Sequence, residues 1–149
     1  MEPVLLSIHV VAGIVFVGGS AIATSLFPRY VPVLGQEGAG ERDRAVATAL
    51  HRVTRGYSVA ALVVPVAGIV LALVQGRVGE IWITLAMVLT AAAGFLLAVQ
   101  IYPRQRAALA APGERDRLRP LSMLAGVYNV LWTVVVVLMI VRPGSAEGA

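Results

Sequence analysis

The two histidines are the side chains of this sequence best suited to chemistry, and they stand in opposite settings. His9 lies in the apolar run Val4–Phe27 and is its one ionisable group. Neutral imidazole ligates haem iron and copper, and an ionisable residue inside such a run marks a functional position by default. The plainer reading is a hydrogen bond to a neighbouring helix, worth about 0.6–2 kcal/mol in a membrane. The residues alone leave both open. Met87 and Met139 lie in later apolar runs near the depth of His9. Thioethers with imidazole suit Cu(I), although methionine also fills irregular gaps in apolar packing. His51 shares a helical face with Arg44, Thr48, Arg52 and Arg55, a basic strip suited to anionic headgroups. The two histidines stand about 30 Å apart, a bilayer core, so one haem in one subunit cannot take both.

Other chemistries lack their residues. There is no cysteine, which removes disulfides, thiolate ligands and a cysteine nucleophile. No phosphate-binding loop, dinucleotide glycine pattern, HExxH or hydrolytic triad is present. Besides His9, the polar groups within the apolar runs include Asn129, Ser20, Thr24, Thr84, Thr90, Ser122 and Thr133. Proton-coupled pumps carry ionisable groups along their path, and no carboxylate or arginine occurs at that depth. The sequence therefore reads as non-enzymatic. His9, Gly13, Phe16, Ser20 and Thr24 share one face, whose small and polar members suit a seam between helices or between subunits.

The elements that would position these groups follow from hydropathy. The chain has 149 residues, 58% of them hydrophobic and 13% charged; its mean hydropathy is +0.85. That is too apolar for a water-soluble domain of this size. Four runs have the length to cross a hydrocarbon core as helices: 4–27, 57–74, 81–99 and 121–141. All 12 basic residues are arginine. Arg29, Arg42, Arg44, Arg52 and Arg55 fall in the connection 28–56; Arg104, Arg106, Arg115, Arg117 and Arg119 fall in 102–120. Arginine-rich short loops stay cytoplasmic, so both termini are expected outside, in a bacterial cell membrane. Arg44, Arg52, Arg55 and Arg104 are the expected contacts to anionic phospholipid, which the net charge of +4 favours over nucleic acid. Tyr30, Tyr102 and Trp82 read as interfacial anchors. Pro65 predicts a kink in the second run. Glu2 and the absence of an N-terminal basic residue make the first run a retained span rather than a signal peptide.

The two arginine-rich connections share a pentapeptide, Gly40-Glu41-Arg42-Asp43-Arg44 and Gly113-Glu114-Arg115-Asp116-Arg117. Gly19 pairs with Gly94, Phe27-Pro28-Arg29 with Tyr102-Pro103-Arg104, and Tyr57 with Tyr128. The order of landmarks reads either as coincidence in an arginine-biased chain or as a tandem duplication of a two-helix hairpin. A duplication gives an all-α membrane protein, a four-transmembrane-helix bundle with parallel repeats. Each proline would then stop a helix at the inner surface.

The first run, His9-Val10-Val11-Ala12-Gly13-Ile14-Val15-Phe16-Val17-Gly18-Gly19, resembles the first helix of copper-resistance D-type membrane proteins. It is similar also to that of the haem-dependent membrane protoporphyrinogen oxidases, with Pro28-Arg29 about one turn later than in that family. The resemblance implies His9 as a haem b or copper ligand. The oxidases' membrane lysine has no counterpart here, so oxidation chemistry is not carried over. Nearly the whole chain resembles actinobacterial four-helix integral membrane proteins of unknown function, through Phe27-Pro28-Arg29-Tyr30, Leu50-His51-Arg52 and Tyr128-Asn129-Val130-Leu131-Trp132. That resemblance implies a structural or partner-binding module, alone or in an oligomer.

The arginine asymmetry makes a direct prediction. A reporter fused after residue 38 should read the cytoplasm and one fused after residue 149 the opposite side. Agreement between the two would refute the even number of spans, and an exchange would reverse the orientation.

Overall fold

A run of apolar residues in lipid has one way to satisfy its backbone, which is to bond to itself. The computed structural model describes residues 2–33, 41–60, 63–111, 113 and 115–144, and all regular structure among them is helical. Helix α1 covers Glu2–Tyr30, α2 Glu41–Ala60 and α3 Val63–Val74. Helix α4, Ile81–Phe95, runs through a π-helical turn, Leu96–Ile101, into α5, Tyr102–Ala110. A 3₁₀ turn, Arg115–Leu118, leads into α6, Arg119–Val141. Three helical runs, Leu6–Tyr30, Ile81–Ala110 and Arg115–Val141, are long and apolar enough to cross a membrane.

The expected second span, 57–74, is shared between the end of α2 and α3, and neither helix meets that standard alone. Helix α2 opens on charged residues, and α3 has only 12. Pro65 stands in the first turn of α3, where a missing N–H leaves no bond unmade. The kink expected from it falls at residue 61, outside the described residues.

Of the two prolines expected to stop a helix, Pro28 lies in the last turn of α1, which ends at Tyr30, whereas Pro103 does not end its run. Pro28 lies inside α1, and the Val31 N–H still reaches the Phe27 carbonyl at 3.1 Å. Pro103 lies within the continuous run from α4 to α5, next to a π turn in which the Tyr102 N–H bonds the Leu97 carbonyl. The widened turn absorbs the ring that would clash in a regular helix. It also turns the helix face. Buried positions Ile83, Ala86, Thr90, Ala93 and Leu97 alternate in steps of three and four. Continued regularly, that stripe would bring Gln100 and Arg104 inward. Ile101 and Gln105 are buried instead, and Arg104 is exposed.

Helix α6 buries Leu121, Ala125, Tyr128, Trp132 and Val135, again at steps of four and three. Helix α1 buries Phe16, Ser20, Ala23, Thr24 and Phe27. These facing stripes pack α1 against α2 and α6, and α6 against α4; α5 closes onto α2, and α3 onto α4. The rings of Phe27 and Tyr102 both lie beside His51, with centroids 6.4 and 4.9 Å from it. Phe27, near the end of α1, and Tyr102, at the start of α5, are therefore level. Arginines follow both, and this is the arginine-rich end of the molecule.

At the other end, Gly76 closes α3 with φ +66°. The Arg77 N–H bonds the Ala72 carbonyl and the Gly76 N–H that of Leu73, a Schellman turn. Glu80 starts α4 in extended backbone; its carboxylate accepts from the Trp82 indole and meets Arg77 at 3.7 Å. Arg142, at φ 47°, ends α6 and lies over the Trp82 ring at 5.7 Å.

Gly19 sets the closest approach of α1 and α2. A Cβ there would stand 2.6 Å from Cζ of Tyr57, whose hydroxyl donates to the Val15 carbonyl at 3.0 Å. Gly18 beside it faces open space. Gly19→Ala is expected to cost about 1–3 kcal/mol through overpacking, whereas Gly18→Ala should be neutral or slightly stabilising. Denaturation of both variants in detergent measures the difference, and equal stabilities would refute the close approach.

Candidate functional site

Polar side chains form two layers along the helix seams. The middle layer begins on α1. Ser20 donates to the Val17 carbonyl at 3.2 Å, and Thr24 donates to the Ser20 carbonyl at 2.9 Å. These local bonds let hydroxyls sit in an apolar seam without an orphaned donor. Helix α6 then reaches across: the Tyr128 hydroxyl donates to Ser20 Oγ at 2.8 Å, and Asn129 Nδ2 donates to Ser25 Oγ at 2.9 Å. Phe16 meets Tyr57 and Trp132 edge to face, at 5.2 and 5.5 Å between centroids. Asn129 Oδ1 and Trp132 Nε1 are buried with no partner among the described residues.

The second layer lies at the arginine-rich end. His51 Nδ1 and Gln105 Oε1 are 3.2 Å apart, a bond in which the imidazole N–H donates. The imidazole stacks on Tyr102 at an interplanar angle of 7°. Gln105 is fully buried, and its Nε2 has no partner among the described residues. A buried donor left unpaired costs roughly 1–3 kcal/mol.

Sequence reasoning placed His51 on a headgroup-facing strip and Tyr102 in the interface; the structure joins them in one half-buried layer with Gln105. Nothing in the linear pattern singled out Gln105. The signal was its place one residue past Arg104, on a face that only the π turn makes internal. Arg44, Arg52 and Arg55 are exposed on α2, and Arg104 is exposed on α5, where it donates to the Gln100 carbonyl at 3.1 Å.

His9 is half-buried on α1 and bonded to no other described residue. The half of α1 around it exposes Ile8, Val10, Val11 and Ile14. Met87, on α4, is half-buried, and Met139, on α6, is 36% exposed. Among the described residues no three histidine, aspartate or glutamate side chains gather as a metal site.

The Tyr128–Ser20 bond should be measurable as coupling. Tyr128→Phe, Ser20→Ala and the double variant form a cycle whose interaction energy is expected at about 0.6 kcal/mol, and not above about 1.7. Additive effects would mean that the bond contributes nothing to association of α1 with α6.

Comparison with family models, with curated proteins and with solved structures finds no match for this chain. The functional reading rests on the chemistry of the chain itself.

Proposed function

We propose that the chain is a four-span membrane module without catalytic chemistry, which binds lipid or protein partners through its helix faces and its arginine-rich loops. The observation that carries this reading is the use of the membrane-depth polar groups. Tyr57, Tyr128 and Asn129 each bond across from one helix to another, as structural ties do. The common level of Phe27 and Tyr102 supports the fourth crossing, because the chain must return between them, and 57–74 is the segment expected to do so. With ten arginines at one end, the expected orientation puts that end in the cytoplasm.

The duplication is supported by Phe27 and Tyr102, matched landmarks that flank the same imidazole. The tyrosine pair is less symmetric: Tyr57 and Tyr128 both bond to α1. A second reading, haem b or copper at His9, rests on an imidazole in a candidate span with no bond to any other described residue. Met87 or Met139 would complete its ligands.

One preparation separates the two. The full chain, expressed with haem precursor and copper and purified in mild detergent, is expected to be colourless and metal-free, and indistinguishable from His9→Ala. A Soret band or stoichiometric copper that disappears in a folded His9→Ala protein would replace the structural reading with the ligand-binding one.

A further inference from the structure

The two arginine-rich connections, far apart in sequence, meet in space. A cavity of about 460 Å³ opens between the end of α1 and the start of α6, lined by Arg29, Arg115, Arg119, Ser122, Val31 and Leu118 among others. All three guanidinium groups belong to exposed residues. Among the described carboxylates only Asp116 offsets them, pairing with Arg119 at 3.3 Å. Three guanidinium groups lining one cavity make the potential there positive and favour an anion. Guanidinium matches phosphate oxygens in a two-pronged geometry that lysine lacks.

From this we infer that the cavity is a site for a phosphate oxyanion, supplied by the headgroup of an anionic phospholipid. The source follows from position and lining. Tyr30 ends one candidate membrane-crossing run and Arg115 begins another, so the cavity lies where headgroups lie. Val31 and Leu118 add an apolar wall beside the cations, as a molecule with both a phosphate and a glycerol–acyl part requires. The cavity is distinct from the α2 strip of Arg44 and Arg52, which lines a separate shallow groove. The inference rests on the membrane reading above, and the test keeps the two apart.

The full chain is reconstituted in phosphatidylcholine nanodiscs with and without phosphatidylglycerol. Retained lipid is counted by native mass spectrometry after transfer to neutral detergent. Wild type should retain phosphatidylglycerol over phosphatidylcholine. Arg29→Gln, Arg115→Gln and Arg119→Gln should each weaken retention about fivefold, and the triple variant about a hundredfold. Arg106→Gln, exposed on α5 and lining neither groove, should change it little. Equal losses at Arg106 and at the cavity arginines would reduce the effect to diffuse attraction and overturn the site. Wild type without preference would overturn it equally, whatever the variants do. Displacement of the lipid by millimolar inorganic phosphate would reassign the cavity to a soluble phosphate and overturn the headgroup source. Failure of wild type to enter nanodiscs at all would instead refute the membrane reading.

Discussion

The constraint on which this structure depends is that lipid gives apolar helix faces no reason to associate. Lipid tails are as apolar as leucine, so association relies on close packing and on interhelical hydrogen bonds. Ser20 is where the two meet: its hydroxyl accepts from Tyr128 of α6, and Gly19 beside it admits the ring of Tyr57 from α2. One turn of α1 thus anchors both of its neighbours. The buried stripes of α1, α4 and α6 follow from that register, while valines and isoleucines on the remaining faces stay exposed.

A second constraint is the backbone's need to absorb proline without leaving the helix. Pro103 could have ended the third run. The π turn before it instead adds about one residue to the winding, which rotates everything beyond by about 100°. The consequence is chemical. Arg104 is turned out, where its charge is solvated, and the neutral amide of Gln105 is turned in against His51. A regular helix would have brought a guanidinium up to that imidazole, a far costlier burial.

This explains what was legible in the sequence and what was not. The face of α1 running through Phe16, Ser20 and Thr24 could be read from spacing, because its register depends on one regular helix. The three helical runs long and apolar enough to cross a membrane were equally plain from hydropathy. His51 was misplaced because α2 alone shows only a basic amphipathic strip. Its partners Tyr102 and Gln105 arrive from more than fifty positions away, on a face that a local irregularity creates. The stop expected at Pro103 failed for the same reason, while α1 does end two residues past Pro28. Propensity describes what a proline disfavours, and tertiary packing decided that the helix should continue.

The arginine-rich end follows from these two constraints together. The shared level of Phe27 and Tyr102 brings Arg29 and Arg104 to one end of the molecule. The start of α6 adds to the strain: Arg115, Arg117 and Arg119 stand at a helix N-terminus, where the macrodipole already disfavours cations. Asp116 offsets part of this at an exposed position, and exposed ion pairs contribute only about 0–1 kcal/mol. Among the described carboxylates, Asp116 alone pairs with this cluster. At the opposite end Arg77 pairs with Glu80, and Arg142 lies over the Trp82 ring. The arginine asymmetry read in the sequence is therefore also, among the described residues, an asymmetry of paired charge between the two ends.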